Sequence, residues 1–329
     1  MRRHSPHYPT LWGQPDPNCH IEVNSASLRI TKNLLRFLMQ VRQLFQYASR
    51  CFWIDAVCVD QSNLDERGQQ VSLMPSIYSS AALVVLWLGP EYESSDLAMH
   101  AFTRNSSTIP TQSTHSGKLW RKGEGAAIRA LCERRYWTRL WVLQELTLAD
   151  NKIEIMCGDK QTQWTAFTAF TLHVRPPPFR ARNETNYACE GLRKSPGKAM
   201  TIQILQTSND ALLYDQILAA RHLNCWDPRD KFYGVLGISG GTFSGAIRAD
   251  YDISLVRLVH KVLQQELAER PPTELDEIVQ RAQRLGDVLD VPVGDILSTA
   301  ELPPPVMKGH ALNHKQTGID LLWAFRLKL

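Results

Sequence analysis

Between Trp137 and Leu146 the chain sets two polar side chains, Gln144 and Glu145, into a run that is otherwise largely apolar. At helical spacing Trp137, Leu140, Trp141 and Leu148 share one face, with Gln144 in its midst and Glu145 beside it. Val142, Leu143 and Leu146 make the opposite side apolar as well, so the spacing predicts a helix buried nearly all round. A carboxylate in such a place is costly unless it is paired or hydrogen-bonded, and burial raises its pKa. Its presence therefore asks for a reason. One is structural, an ion pair with Arg139 or Arg135, with Trp141 a plain core residue; the other is a chemical task.

The elements that would position these residues can be read on either side. Ile21 to Ile30 alternates like a short strand pair turning near Asn24-Ser25. Thr31 is suited to cap a helix running to about Tyr47, with Leu34, Leu35, Leu38, Val41 and Phe45 on one face. Cys51 to Val59 is a compact apolar run with the length and β-branched content of a strand buried on both sides, and it ends in Asp60-Gln61. A helix then carries Val71, Met74, Ile77, Tyr78 and Ala81 on one stripe, with Pro75 in its first turn or at a kink. Ala82 to Leu88 reads as a second buried strand, stopped by Gly89-Pro90. Strands alternating with helices argue for an α/β sheet of mainly parallel strands. Ligands of such sheets bind outside the carboxyl ends of the strands, where Asp60, Gln61 and Glu91 fall.

Further along, the Ser/Thr-rich stretch between Thr103 and Gly125 is read as a loop or insertion. Ile153 to Cys157 is a short strand followed by a turn at Gly158-Asp159. Arg175 to Lys198, with Pro176, Pro177 and Pro178 and several basic residues, is a loop or linker by composition. Ile202 to Arg221 and Leu255 to Leu267 read as helices, and Asp227 to Gly234 as a polar turn leading into an apolar segment. These patterns divide the chain into a core over residues 1–158, a helical elaboration of the same domain over 159–270 and a peripheral tail over 271–329.

Bulk properties narrow the functions. A chain of 329 residues with 43% hydrophobic content can bury a sizeable core, which excludes a disordered protein. A net charge of +4 gives little support to a nucleic-acid role, and the aromatic interleaving that such a role needs is barely present. No run approaches the ~18 apolar residues that span a bilayer. The basic start, Met1 to His7, lacks the apolar segment of a secretory signal. Seven cysteines without a Cys-x-x-Cys pair suggest neither a zinc site nor a disulfide framework. Cys51, Cys58 and Cys157 lie in apolar runs and are read as core residues of a cytoplasmic protein. No nucleophile elbow or ordered Cys/His pairing argues for a serine or cysteine hydrolase.

Four segments in order carry a family resemblance: Phe52 to Gln61; Glu66 to Val71 with Met74, Ile77-Tyr78 and Ala81; Leu86-Trp87-Leu88-Gly89; and Arg135 to Leu146. Together they resemble the heterokaryon incompatibility (HET) domain of filamentous fungi. Trp12-Gly13, Cys157-Gly158 and Asp227 to Lys231 resemble its accompanying segments, so the likeness extends from about Leu11 to Asp252. One departure stands at the start. The family has a strand ending in Leu-Ser-Tyr before its Trp-Gly pair, where this chain has His7-Tyr8-Pro9-Thr10-Leu11. Pro9 cannot donate to a sheet ladder, so that strand is expected to be shortened.

The resemblance implies a part in fungal non-self recognition and programmed cell death. HET domains are similar in turn to TIR domains, so it also implies a flavodoxin/TIR-like sheet flanked by helices, with a mostly helical C-terminal elaboration. TIR sequences carry a Trp-Cys-x-x-Glu-Leu helix whose glutamate serves in cleaving NAD+. Trp141-Val142-Leu143-Gln144-Glu145-Leu146 has the same spacing, which makes Glu145 the candidate catalytic carboxylate. Splitting the nicotinamide–ribose bond needs a carboxylate that stabilises an oxocarbenium-like transition state or contacts the ribose hydroxyls. Asp60, Gln61, Arg67, Gln70, Trp141 and Gln144 are the candidate ligand-binding residues, Trp141 by stacking and Arg67 and Gln70 through phosphate or ribose. A solvated helix face explains Arg67 and Gln70 equally well. Asp55 is read as satisfying a backbone or arginine partner, Tyr78 as packing, and Arg229 with Asp230 as a local ion pair fixing a turn. NAD+ is the implied substrate, with no cofactor or metal required. A non-enzymatic module acting through self-association, or through other HET or innate-immunity-like signalling proteins, remains the alternative.

Overall fold

The computed structural model describes residues 16–47, 50–105, 121–173, 212–239 and 248–298. The segments at Trp12-Gly13, Pro9, Arg175 to Lys198 and Ile202 to Asp210 lie outside them. The chain opens with an antiparallel hairpin, β1 (His20–Val23) and β2 (Ala26–Arg29), in the register His20↔Arg29 and Val23↔Ala26. Its two-residue turn has positive φ at Asn24 (51°) and Ser25 (64°), the backbone twist that matches a two-residue hairpin. Thr31 then caps α1 (Lys32–Gln43), its side chain accepting the Leu34 N–H at 3.1 Å. Leu34, Phe37 and Val41 form the buried stripe, and a 3-10 turn follows at Phe45–Tyr47.

The run from Cys51 to Val59 is not the strand that its composition predicts. Residues 51–54 belong to no strand, with Ile54 extended, and α2 (Asp55–Cys58) is a single turn. The turn is satisfied locally. The Ile54 carbonyl accepts from Val57 and Cys58 at 2.9 and 2.8 Å, and the Asp55 carboxylate accepts from Ala56 at 2.8 Å. Cys51 and Cys58 are exposed rather than core, whereas Cys157 is buried as expected. Asn63 caps α3 (Leu64–Ser80), which starts about two turns before the apolar stripe and takes Pro75 into its interior.

The described sheet has three strands, β3 (Val84–Trp87), β4 (Ile153–Cys157) and β5 (Lys160–Gln163). β3 runs parallel to β4, Val84 opposite Ile153, and β5 returns antiparallel through the Gly158-Asp159 turn. The expectation of an α/β arrangement holds at this level. The described sheet is mixed, however, and the mainly parallel flavodoxin-like version is not what these strands form. Alternation along the strands covers both faces. Val84, Leu86, Ile153, Ile155 and Cys157 enter the main core, while Trp87 and Met156 pack with α1 on the other side.

The main core is helical. α4 (Ser95–Asn105), α5 (Glu124–Cys132), a 3-10 turn at Arg135–Thr138 and α6 (Val142–Leu148) precede β4. α7 (Trp164–His173), α8 (Leu213–Ala220), α9 (Asp230–Leu236), α10 (Leu255–Glu269), α11 (Leu275–Leu289) and α12 (Val293–Ser298) follow the sheet. Ile278, Ala282, Leu285, Leu289 and Ile296 belong to that same core. The tail expected to be peripheral from residue 271 is therefore, over 275–298, an integral layer. Trp137 shows how tightly the core is built. It is fully buried, stacks on Phe167 at 5.4 Å and 14°, and donates its indole N–H to the Leu131 carbonyl at 3.0 Å. Trp137→Ala should cost about 3–5 kcal/mol in chemical denaturation, because removing the ring leaves a cavity that the packed Phe167 and Trp164 cannot fill.

Candidate functional site

The predicted helix from Trp137 onward is broken at its second turn, and the break builds the site. Leu140 N–H donates to the Asn224 carbonyl at 2.9 Å, and Asn224 N–H to the Thr138 carbonyl at 2.6 Å. This pairing across more than eighty residues holds Arg139 extended, so α6 begins only at Val142, with half-buried Trp141 at its N-cap. The extended step turns Arg139 out of the helix and toward Glu145.

Glu145 is 9% exposed and sits on the wall of a cleft of about 1220 Å³. Tyr136 donates its hydroxyl to Glu145 Oε2, and Arg139 Nη1 lies 3.8 Å from Glu145 Oε1. Burial first, and then the Glu145 charge, push the Tyr136 and Tyr78 phenols well above their ordinary range. Burial opposes the Arg139 cation, but Glu145 and Asp55 together outweigh it and hold the guanidinium above its usual value. Of the two partners expected for Asp55, a backbone group or an arginine, the structure gives the backbone one, the Ala56 N–H at 2.8 Å. Trp53 also lines the cleft, edge-on to Tyr78 with ring centroids 6.2 Å apart. The arrangement is a buried carboxylate with a fixed donor, a neighbouring cation and an aromatic wall. It can stabilise a developing positive charge on a bound sugar.

The other candidate residues lie elsewhere. Gln144 is fully buried and faces away from the cleft. Its Nε2 donates to the Gly234 carbonyl at 3.1 Å and the Tyr233 carbonyl at 3.4 Å, tying α6 to α9. Gly234 permits that approach, because a Cβ there would stand 2.7 Å from Leu140 Cδ2. Trp141 packs against the main core and does not line the cleft. Asp60 and Gln61 are exposed, since no strand ends at them. Asp60 accepts from the Ser62 hydroxyl and N–H at 2.6 and 2.9 Å, bonds that lower its pKa and close a loop before α3. Gln70 is half-buried on α3, outside the cleft lining.

Arg67 belongs to a separate network. It lies 3.4 Å from both Asp227 Oδ2 and Asp230 Oδ1, and 3.7 Å over the Tyr251 ring. Asp230 takes its hydrogen bond from Tyr251 at 2.6 Å, and Arg229 pairs with Asp227 rather than with Asp230. Burial outweighs the pull of Arg67 and pushes the Asp230 carboxyl up to about 6. The folded state thus keeps a proton that the unfolded chain releases near 3.8, so this group's stabilisation is lost as pH rises through about 6. Asp230→Asn should flatten that slope. Between pH 4 and pH 7 its stability should rise relative to the parent by on the order of 2–3 kcal/mol, read by denaturant titration at both values.

Comparison with known proteins fits this layout. Residues 9–145, which reach from near the start of the chain through the cleft carboxylate, match the family described as Heterokaryon incompatibility protein (HET). It is similar to Heterokaryon incompatibility protein 6, OR allele, of Neurospora crassa, with 26% identity over 300 residues. That similarity covers 74% of this chain but 44% of the relative, so the chain spans less than half the length of the curated protein it matches. No solved structure matches. Among the described residues no helix is long and apolar enough to cross a membrane, and no cluster of His, Cys, Asp and Glu could hold a metal ion.

The sequence marks Glu145 and offers Arg139 as its ion partner, but it does not mark Tyr136 as its hydrogen-bond donor. Tyr136 and Arg139 stand in the same motif segment; their part depended on the break at Thr138–Leu140, which only a long-range contact produces. Trp53 belongs to the first motif segment without a role of its own there, and Tyr78, expected to pack, does so edge-on against it.

Proposed function

We propose that this chain acts in fungal non-self recognition and the cell death that follows, and that it does so by cleaving NAD+ in the cleft of Glu145. The observation that carries the reading is Glu145 itself, a carboxylate placed by α6 on the wall of a cleft and aimed by Tyr136. In the reaction the nicotinamide C–N bond breaks heterolytically and the nicotinamide leaves with the electron pair. Water then adds to the ribose C1′ and loses its proton to solvent. Glu145 would stabilise the oxocarbenium-like sugar between those events, and Trp53 would stack on the departing ring. Arg139, 3.8 Å from Glu145 Oε1, helps orient the carboxylate. The test is conversion of NAD+ to nicotinamide and ADP-ribose by the purified full chain at high concentration, followed by chromatography. Steady conversion supports the reading, and no conversion in any assembled form would sink it.

A second reading has one observation in its favour. The Arg139–Glu145 pair gives the buried carboxylate a structural reason to exist. The chain would then act as an assembly module, through self-association or a signalling partner, and Glu145 would hold the fold.

A further inference from the structure

We propose that the end of the cleft at β3 is a phosphate subsite, built by Asn33, Arg36 and Arg134 around Gly89, that takes the pyrophosphate of a nucleotide whose ribose reaches Glu145. This rests on reading the same cleft as a nucleotide site, and it adds where the anionic part of the ligand is held. Five arginines line the cleft against three carboxylates. One of the five, Arg139, is held between Glu145 and Asp55. Arg36, Arg50, Arg134 and Arg135 have no carboxylate partner among the described residues.

Arg134 is the telling member, because it is 4% exposed and still lacks a counter-charge. Its Nη1 donates to the Leu88 and Pro90 carbonyls at 2.9 and 3.1 Å and to Cys157 Sγ at 2.9 Å. Its Nη2 donates to the Tyr92 carbonyl at 3.2 Å, and its Nε has no partner. Dipoles satisfy most of its N–H groups without neutralising the charge, and an uncompensated buried cation is expensive. The positive field lies at the carboxyl end of β3, where sheets of this class take ligands.

Gly89 sits there with φ +102°, and a Cβ on it would stand 3.8 Å from Arg134 Nη1 and 4.0 Å from Asn33 Oδ1. Glycine therefore keeps the backbone bare between α1 and the guanidinium, as close approach of a phosphate requires. Asn33 Oδ1 accepts from the Trp87 indole at 3.0 Å, which turns its amide N–H groups away as free donors. Arg36 follows one helical turn later on α1 and is exposed. The remaining carboxylate at this end, Glu91, shares the field of Lys160.

The test is calorimetric titration of the full chain with ADP-ribose, using adenosine and inorganic pyrophosphate as comparison probes. ADP-ribose should bind, pyrophosphate should compete with it, and adenosine should bind at least about tenfold more weakly. Arg36→Ala, at an exposed helix position, should weaken ADP-ribose about tenfold, and Arg36→Glu further. Glu145→Gln should still bind it. Adenosine binding as tightly as ADP-ribose, an Arg36→Glu affinity equal to the parent's, or no ADP-ribose binding at all would each overturn the subsite. Arg36-dependent binding in a protein that never cleaves NAD+ would uphold the subsite and remove the catalytic reading. Cleavage with a KM for NAD+ indifferent to Arg36→Glu would do the reverse.

Discussion

Arg139→Met is expected to lower the unfolding free energy by about 3–5 kcal/mol, the cost of stranding buried charge without its partner. The cation lies between Glu145 and Asp55, and both carboxylates raise its pKa against burial. Methionine fills much of the volume of the arginine stem but removes the cation on which the fields of both carboxylates converge. Acidification should then recover part of the loss, because protonation neutralises the stranded charge. Equilibrium denaturation at neutral and acidic pH measures both effects. A loss under about 1 kcal/mol at neutral pH would mean that the carboxylates are well solvated and the ion pair does little.

Glu145→Gln should behave in the opposite way. It keeps the shape, leaves Arg139 with Asp55 as its counter-charge, and so should cost only about 1–3 kcal/mol, the range for a lost charged hydrogen bond. Its effect on chemistry should be large. An amide cannot stabilise a developing positive charge as a carboxylate does, so NAD+ turnover should fall by about 10²–10³-fold. The contrast is informative because a merely structural Glu145 would show the stability change alone. Turnover by the variant within a few-fold of the parent would remove Glu145 from the reaction.

Local rules made a good part of the fold legible. The Asn24-Ser25 turn, the Thr31 cap, the Val84–Trp87 and Ile153–Cys157 strands and the stripe of α3 each follow from a few neighbouring residues. What failed was decided by hydrogen bonds, local in one place and long-range in another, that composition and periodicity do not reveal. Cys51 to Val59 has the composition of a buried strand, but a local turn at Ile54-Asp55 captures its N–H groups, and its side chains face α1 and the cleft instead. Trp137 to Leu148 has an unbroken helical pattern, yet Asn224 splits it. That split explains why Glu145 and its arginine partner are legible while its donor is not. The glutamate and Arg139 are conspicuous by charge, whereas Tyr136 becomes a neighbour of Glu145 only after the helix is interrupted. Asp60 and Gln61 were placed by the position of a strand end that does not exist, and Arg67 by a helix face that turns toward Asp227 and Asp230.

The most direct measurement expresses the full chain and Glu145→Gln at matched levels in a fungal host and follows viability together with cellular NAD+. The account predicts that the parent depletes NAD+ and kills, and that the variant, equally abundant, does neither. A Glu145→Gln protein that kills as the parent does, with NAD+ untouched, would contradict it.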